Sequence, residues 1–498
     1  MARSIAVDPS AVARVVGIQT IFKDLRNGAL VLLPQRIAVI GQGSSDSVYS
    51  TTKQQVTSAS QAGALYGYGS PIHLAVKQLL PTNGDGVGTI PVTVYPLVDA
   101  VSGVASVGEI TPTGTQLESA AYRVVVNGVR SEQFVVATGA TIATVTADIA
   151  TAVNSILDMP VKAVATATKV TLTSKWKGLS ANDIYMQVEG STTAGVTFAV
   201  TQPTGGLVNP SLAPALAQFG SVWETMALNC LNPTDTDALN QTSDFGEGRW
   251  GSLVRKPLVS FVGNTDEDVQ DATTVTSARK TDRVNSQLVS PGSIDLPFVT
   301  AARQLARIAV VANENPACDY GSQQATGLNP GADGDQWDYV TRDLAVKAGS
   351  STVETRDNVV TIQDVVTYYH PTGDEIPAYR YVCDIVKLQN IIFNLDLIFA
   401  NPEWDGAPLI PDNQPTTNPK AKKPKMAVAA ICSVIDSLGL EAIISDPEFT
   451  KKNTFAEIDT QNPKRLNIST TVKLSGNTNI LAVDLNFGFN FGTAQIVG

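Results

Sequence analysis

The chain has 498 residues, enough for a large buried core and for two to four domains, one of which can interrupt another. Charged residues make up 16 % of it, with 35 Lys and Arg against 46 Asp and Glu, a formal net charge of −11. This excludes a general nucleic-acid binder, which needs surplus cations on one face, and the low charge with abundant Ser, Thr, Asn and Gln suits a subunit partly covered by neighbours.

The start, Met1 to Pro9, lacks the apolar stretch of a signal peptide, and the longest apolar run, Met426 to Ile435, is too short to span a bilayer, so the expectation is a chain soluble where it is made, with no membrane insertion. Val12, Val15, Val16 and Ile18 mark a short arm. A strand at Arg36 to Ile40 runs into Gly41-Gln42-Gly43-Ser44-Ser45, the strand and glycine turn that open an α/β layer. Helices follow at Ser60 to Leu65 and, with Pro at its first turn, at Pro71 to Leu80, then a core strand at Ile90 to Leu97.

Between about 99 and 205 Thr, Val, Ala and Gly dominate, with strands at Tyr122 to Asn127, Gln133 to Ala137 and Val170 to Ser174 around a helix at Ile142 to Leu157; Asn127-Gly128 is a hairpin turn signal. After Gly205-Gly206 helix and strand alternate again: helices at Pro210 to Gln218 and Asp235 to Gln241, a strand at Pro257 to Val262, and helices at Phe298 to Asn313 and Gln336 to Ala348. A hairpin follows over Thr352 to Tyr369, turning at Asp357-Asn358, then helices at Tyr379 to Leu397 and Met426 to Leu438 flanking a Pro-rich loop, 402–424.

Two final strands, Leu466 to Leu474 and Asn479 to Phe491, are predicted to turn at Ser475-Gly476-Asn477-Thr478. In the second, Leu481, Val483, Leu485, Phe487, Phe489 and Phe491 share one parity. A long one-sided strand so near a chain end needs a sheet to join, in its own subunit or a neighbour, which makes the chain look built for polymerisation.

The predicted fold class is an α/β core, a mixed sheet flanked by helices, with an inserted β-rich domain and extended N- and C-terminal arms that add strands to neighbouring subunits. The expected division is 1–26 as N-terminal linker arm, 27–98 and 206–445 as α/β core, 99–205 as inserted, outward-facing β-rich domain, and 446–498 as C-terminal hairpin and linker arm.

Candidates for chemistry are few. The histidines, His73 and His370, have no supporting signature and no G-x-S-x-G elbow, so His73 reads as a helix-surface or packing residue and His370 as a turn residue. Gly41-Gln42-Gly43 invites a dinucleotide reading, but Asp46 stands where the third glycine belongs and would set a carboxylate against the pyrophosphate. Asp333, Asp335 and Asp338 lack the ligand order of a calcium loop and suit a helix N-terminus instead. Cys230, Cys318, Cys383 and Cys432 lie far apart and are expected to be buried reduced thiols. No catalytic residue, cofactor or metal is expected. Lys420, Lys422, Lys423 and Lys425 form one basic cluster, either solvated or docked on an acidic partner.

The order of elements resembles the contractile tail sheath proteins of bacteriophages, in particular the Mu-like sheaths. The likeness rests on Arg14-Val15-Val16-Gly17, Gln35-Arg36-Ile37-Ala38-Val39-Ile40-Gly41-Gln42 and Leu65-Tyr66-Gly67-Tyr68-Gly69-Ser70-Pro71-Ile72-His73-Leu74. It continues in Leu157 to Ala163, Lys177 to Asp183, Gly205 to Pro210, Glu314-Asn315-Pro316-Ala317 and Val366-Thr367-Tyr368-Tyr369. The resemblance implies a non-enzymatic structural subunit of the virion tail, made in the host bacterial cytoplasm. Such a subunit polymerises with itself in rings or a helix around the tail tube protein, meets baseplate and tail terminator proteins, and contracts to drive the tube through the host envelope. It also implies that Val12, Val15, Val16 and Ile18 and the C-terminal strand reach into neighbours. The Lys420 to Lys425 cluster, or the helix after it, is the expected tube-facing surface. The alternatives are the sheath of a phage-derived contractile injection particle, an α/β hydrolase, and a β-rich binding module.

Overall fold

The computed structural model describes residues 30–373, 378–485 and 487. The chain divides into two compact units, residues 32–393 with 474–498, and residues 1–31 with 394–473.

The first unit is built on a six-stranded sheet. β1 (Ile37–Gln42) pairs in parallel with β3 (Val92–Leu97) on one side and β12 (Met226–Asn229) on the other. β13 (Val259–Asn264) and β14 (Asn285–Val289) extend it in parallel beyond β12, and the short β2 (Gln54–Val56) closes the far edge antiparallel to β3. The order β14-β13-β12-β1-β3-β2 winds outward from β1 in both directions. A strand inside such a sheet is buried on both faces and reads as a continuous apolar run, as Ile37-Ala38-Val39-Ile40 does. Ile37 and Val39 join the cluster formed with α1 (Ala59–Tyr66), α2 (Pro71–Leu79) and α7 (Pro297–Glu314). Ala38 and Ile40 face Leu212, Leu216, Phe219 and Ala238 on the opposite side.

Two sheet strands escape hydrophobic periodicity. β12 has four residues, and β14 reads Asn-Ser-Gln-Leu-Val, with Asn285, Ser286 and Gln287 each at 1 % exposure or less. Hydrogen bonds make this burial tolerable: the Asn285 amide donates to the Leu239 carbonyl and Asp282, Ser286 Oγ to the Val366 carbonyl, and the Gln287 amide to the Ala272 carbonyl and Ser350 Oγ.

Between β3 and β12 the chain builds two four-stranded antiparallel sheets. β5 (Ala120–Val126) pairs with β6 (Val129–Arg130), β7 (Phe134–Val136) and β10 (Met186–Gly190), while β4 (Ala105–Gly114), β8 (Val161–Ala165), β9 (Val170–Lys177) and β11 (Val196–Thr204) form the other, around α3 (Ile142–Asn154). A polar clasp ties these strands to the mouth of the parallel sheet. Gln42 Nε2 donates to Asp99 Oδ1 at 2.6 Å and to the Lys177 carbonyl at 2.7 Å, and Ser45 Oγ donates to Asp99 Oδ2 at 2.5 Å. The glycine turn after β1 therefore holds Asp99 and Lys177 of its own chain.

The hairpin β15 (Thr352–Arg356) and β16 (Val359–Asp364) turns at Asp357 and Asn358, both with positive φ, as their short polar side chains permit. The next helix, α9 (Val382–Phe399), holds the boundary between the two units, at Phe393 and Asn394.

The second unit contains α10 (Pro424–Leu440), α11 (Pro447–Lys452) and an antiparallel pair, β17 (Thr454–Ile458) with β18 (Leu466–Thr470). The predicted C-terminal hairpin is thereby corrected. Leu466–Thr470 pairs with Thr454–Ile458 instead of with Asn479 to Phe491, and residues 479–485 and Phe487 carry no strand. The physical reason lies at the predicted turn, where Ser475 and Asn477 are bound by a buried side chain.

Candidate functional site

That side chain is Lys387, on α9 and 0 % exposed. An ammonium has three N–H donors, and three acceptors meet it: Asp384 Oδ1 at 3.0 Å, one turn earlier, the Ser475 carbonyl at 2.7 Å and Asn477 Oδ1 at 2.6 Å. Asn477 is used at both ends, since its Nδ2 donates to the Ala317 carbonyl at 2.9 Å and Cys383 Sγ lies 3.7 Å from its Oδ1. Nearby, burial raises the Asp319 carboxyl above the usual carboxylate range, against the Tyr320 backbone N–H and, least, a hydrogen bond from Asn479, which lower it.

Immediately beyond, the chain turns outward. Ile480, Leu481, Val483, Leu485 and Phe487 are 76–87 % exposed, an apolar surface of the kind that marks a contact site. Leu481, Val483, Leu485 and Phe487 were predicted for strand exchange; Phe489 and Phe491, and Val12, Val15, Val16 and Ile18 of the N-terminal arm, lie outside the described residues. In the second unit β17 and β18 form a sheet of two strands among the described residues, packed beside α10, with Phe455 63 % exposed.

The lysine cluster divides. Lys422 is buried, paired with Glu403 at 2.9 Å and set 4.9 Å from the Trp404 ring centre, and Lys423 Nζ donates to the Gln414 carbonyl at 2.5 Å. Lys420 and Lys425 are exposed. Of the four, these two face solvent with their side chains, a distinction that spacing alone could not make.

His73 is buried on α2, where its Nδ1 accepts from the Gly69 N–H at 3.0 Å and its Nε2 lies 3.7 Å from Asp158. Burial lowers its pKa to about 4, against the raising effect of Asp158, with Lys77 and Lys175 lowering it further. His370 Nδ1 is 2.6 Å from the Tyr368 carbonyl. Asp338 caps α8 (Tyr339–Lys347), accepting from the Thr341 N–H at 2.8 Å. Asp333 and Asp335 line a 760 Å3 crevice with Asp183 and Asp295, but no group of three metal-ligating side chains converges among the described residues. Cys230 and Cys383 are buried; Cys318, expected to be buried, is exposed because it lies in the turn just after α7, and Cys432 is half-buried.

The class that this fold defines is a mixed, doubly wound α/β protein whose sheet is interrupted by a β-rich insertion. No protein-family model matches the chain. The Mu-like prophage FluMu tail sheath protein of Haemophilus influenzae is 24 % identical to it over 446 residues, 87 % of this chain and 88 % of that protein, so the resemblance to Mu-like sheaths read from the sequence is met by a curated relative. The chain is also similar to the crystal structure of a sheath tail protein from Listeria innocua, with a TM-score of 0.49 and 10 % identity, covering 90 % of this chain and 93 % of that one. A sheath tail protein from Desulfitobacterium hafniense has a TM-score of 0.45 and 12 % identity, covering 92 % of this chain and 100 % of that one.

Proposed function

We propose that the chain is the structural subunit of a contractile phage tail sheath, which polymerises around the tail tube and contracts to drive the tube through the host envelope. Its partners are then further copies of itself, the tube protein, and baseplate and terminator proteins. Its place is the virion tail and its role is mechanical, without catalysis. A sheath relative aligned over most of the length supports this reading. The observation that carries it is the run of exposed apolar residues Leu481, Val483, Leu485 and Phe487, in a chain whose β17–β18 sheet has two strands among the described residues.

A strand added to a neighbour's sheet gains about 0.5–1.5 kcal/mol net per backbone hydrogen bond, besides its apolar contacts. Several such bonds hold two subunits together while the globular bodies reorient, which a contracting lattice requires. Negative-stain imaging of the purified chain tests the proposal. Long hollow cylinders are expected; persistent monomers under all assembly conditions, or hydrolysis of ester or peptide probes by the pure protein, would overturn it.

A further inference from the structure

Lys387 is an unusual choice for a fully buried helix position. A buried ammonium is tolerated only when its donors are met, and an uncompensated one is strongly destabilising. Of its three acceptors only Asp384 lies on its own helix; the other two, the Ser475 carbonyl and Asn477 Oδ1, belong to the segment that precedes the exposed apolar run. Detaching that segment would strip two partners from an interior cation. Asn477 adds a bond to the Ala317 carbonyl, so the segment is tied both to Lys387 within α9 and to the chain just after α7. By contrast, the described residues beyond Asn479, 480–485 and 487, are exposed. Between Asn477, bonded to the buried Lys387, and Ile480, 80 % exposed, the chain passes from an interior contact to solvent.

We propose that Lys387 and Asn477 form an anchor that fixes the root of the C-terminal arm to its own subunit, so that the apolar run beyond Asn479 reaches a second copy of this chain from a fixed point and transmits force to α9. This deepens the strand-exchange reading and rests on it only for the identity of the partner. The anchor is a positioning device: Lys387 does not touch the neighbouring copy but sets where the arm leaves, and the break between anchored and exposed chain falls between Asn477 and Ile480.

The test uses the full chain with Lys387→Met, which keeps most of the side chain's length and removes the charge, and Asn477→Ala, which lies outside any helix and spares the fold if the first variant does not. Hydrogen exchange of the unpolymerised protein, followed by mass spectrometry, is expected to rise about ten- to a hundredfold in the 474–479 peptide of either variant, with the peptides of β1 and α7 unchanged. Polymers of either variant are expected to be shorter or to dissociate at lower salt than those of the unaltered chain. Unchanged exchange at 474–479 in a folded Asn477→Ala protein would overturn the anchor. Looser exchange with polymers of unaltered length and salt resistance would overturn its role in assembly. If the unaltered chain forms no polymer, the sheath reading fails, while the exchange result still decides whether the anchor exists.

Discussion

The indole of Trp176 meets the ring of Phe298 edge-on, with centroids 6.1 Å apart and planes at 78°. Trp176 lies on β9 of the inserted sheets and Phe298 in the first turn of α7, so this pair is where the apolar cores of insertion and parallel sheet become one. The Trp176 Nε1–H is met by Ser180 Oγ at 3.0 Å, which lets the indole be fully buried. The aromatic pair does in apolar terms what Asp99 does in polar ones.

Trp176→Ala is therefore expected to destabilise the protein by about 3–5 kcal/mol, the usual cost of emptying a buried indole site. Chemical denaturation of the unpolymerised chain checks this. A loss below about 1 kcal/mol would mean that the insertion and the parallel sheet do not share a core.

His73 gives a pH dependence with a definite sign. Its folded pKa, about 4, lies below the ordinary value of 6.5, so between these limits the unfolded chain binds the proton and the folded chain does not. Stability from this group is present above pH 6.5 and is lost as pH falls towards 4, by about 3 kcal/mol in all. Asp183 and Asp295 act in the opposite sense, because burial raises their carboxyls to about 7 and about 6. They are common to the unaltered chain and His73→Gln, so the difference between the two isolates the imidazole. Denaturation midpoints at pH 7 and pH 4 are expected to fall more steeply in the unaltered chain; parallel curves would refute the assignment.

Leu485→Asp with Phe487→Asp separates assembly from folding. Both positions are exposed, at 76 % and 87 %, so the unpolymerised protein is expected to keep its stability within about 0.5 kcal/mol. Polymer formation, scored by sedimentation and imaging, is expected to be lost, because each carboxylate would sit on the apolar parity of the added strand. Normal cylinders from this variant would remove the C-terminal arm from the mechanism.

For the tube, Lys420→Glu with Lys425→Glu is the informative pair. Reversal of these exposed charges is expected to leave thermal stability within about 0.5 kcal/mol of the unaltered chain and to weaken assembly on tubes most at low salt, where complementary potentials act farthest. Lys422→Glu would mislead, since Lys422 holds Glu403 and lies against Trp404, and its loss reports on local packing.

How far the fold could be read from residues depended on what buried them. β1, with its unbroken apolar run, and α2, with Pro71 in its first turn, are legible, and the structure places them within two residues of their expected limits. β14 is not legible, because Asn285, Ser286 and Gln287 are interior only by virtue of partners far away in sequence. The C-terminal arm was legible as an alternating pattern, but its supposed turn was not: Ser475-Gly476-Asn477 has turn composition, and nothing local signals that Lys387, 88 residues before Ser475, donates to its carbonyl. In the lysine cluster, too, the side-chain environments were not legible, since a charge pattern does not tell a paired cation from a solvated one.

The polar strand β14 has a mechanical meaning. An apolar strand pulled along its length can slip by two residues and bury an equivalent face again, so its register is held only by the shape of its neighbours. Asn285, Ser286 and Gln287 each have a particular address on a different segment, at Leu239, Val366 and Ala272, and any slip would leave all three buried and unmet. Shear along this strand is thus resisted as by a key in a lock, since any slip breaks all three bonds at once.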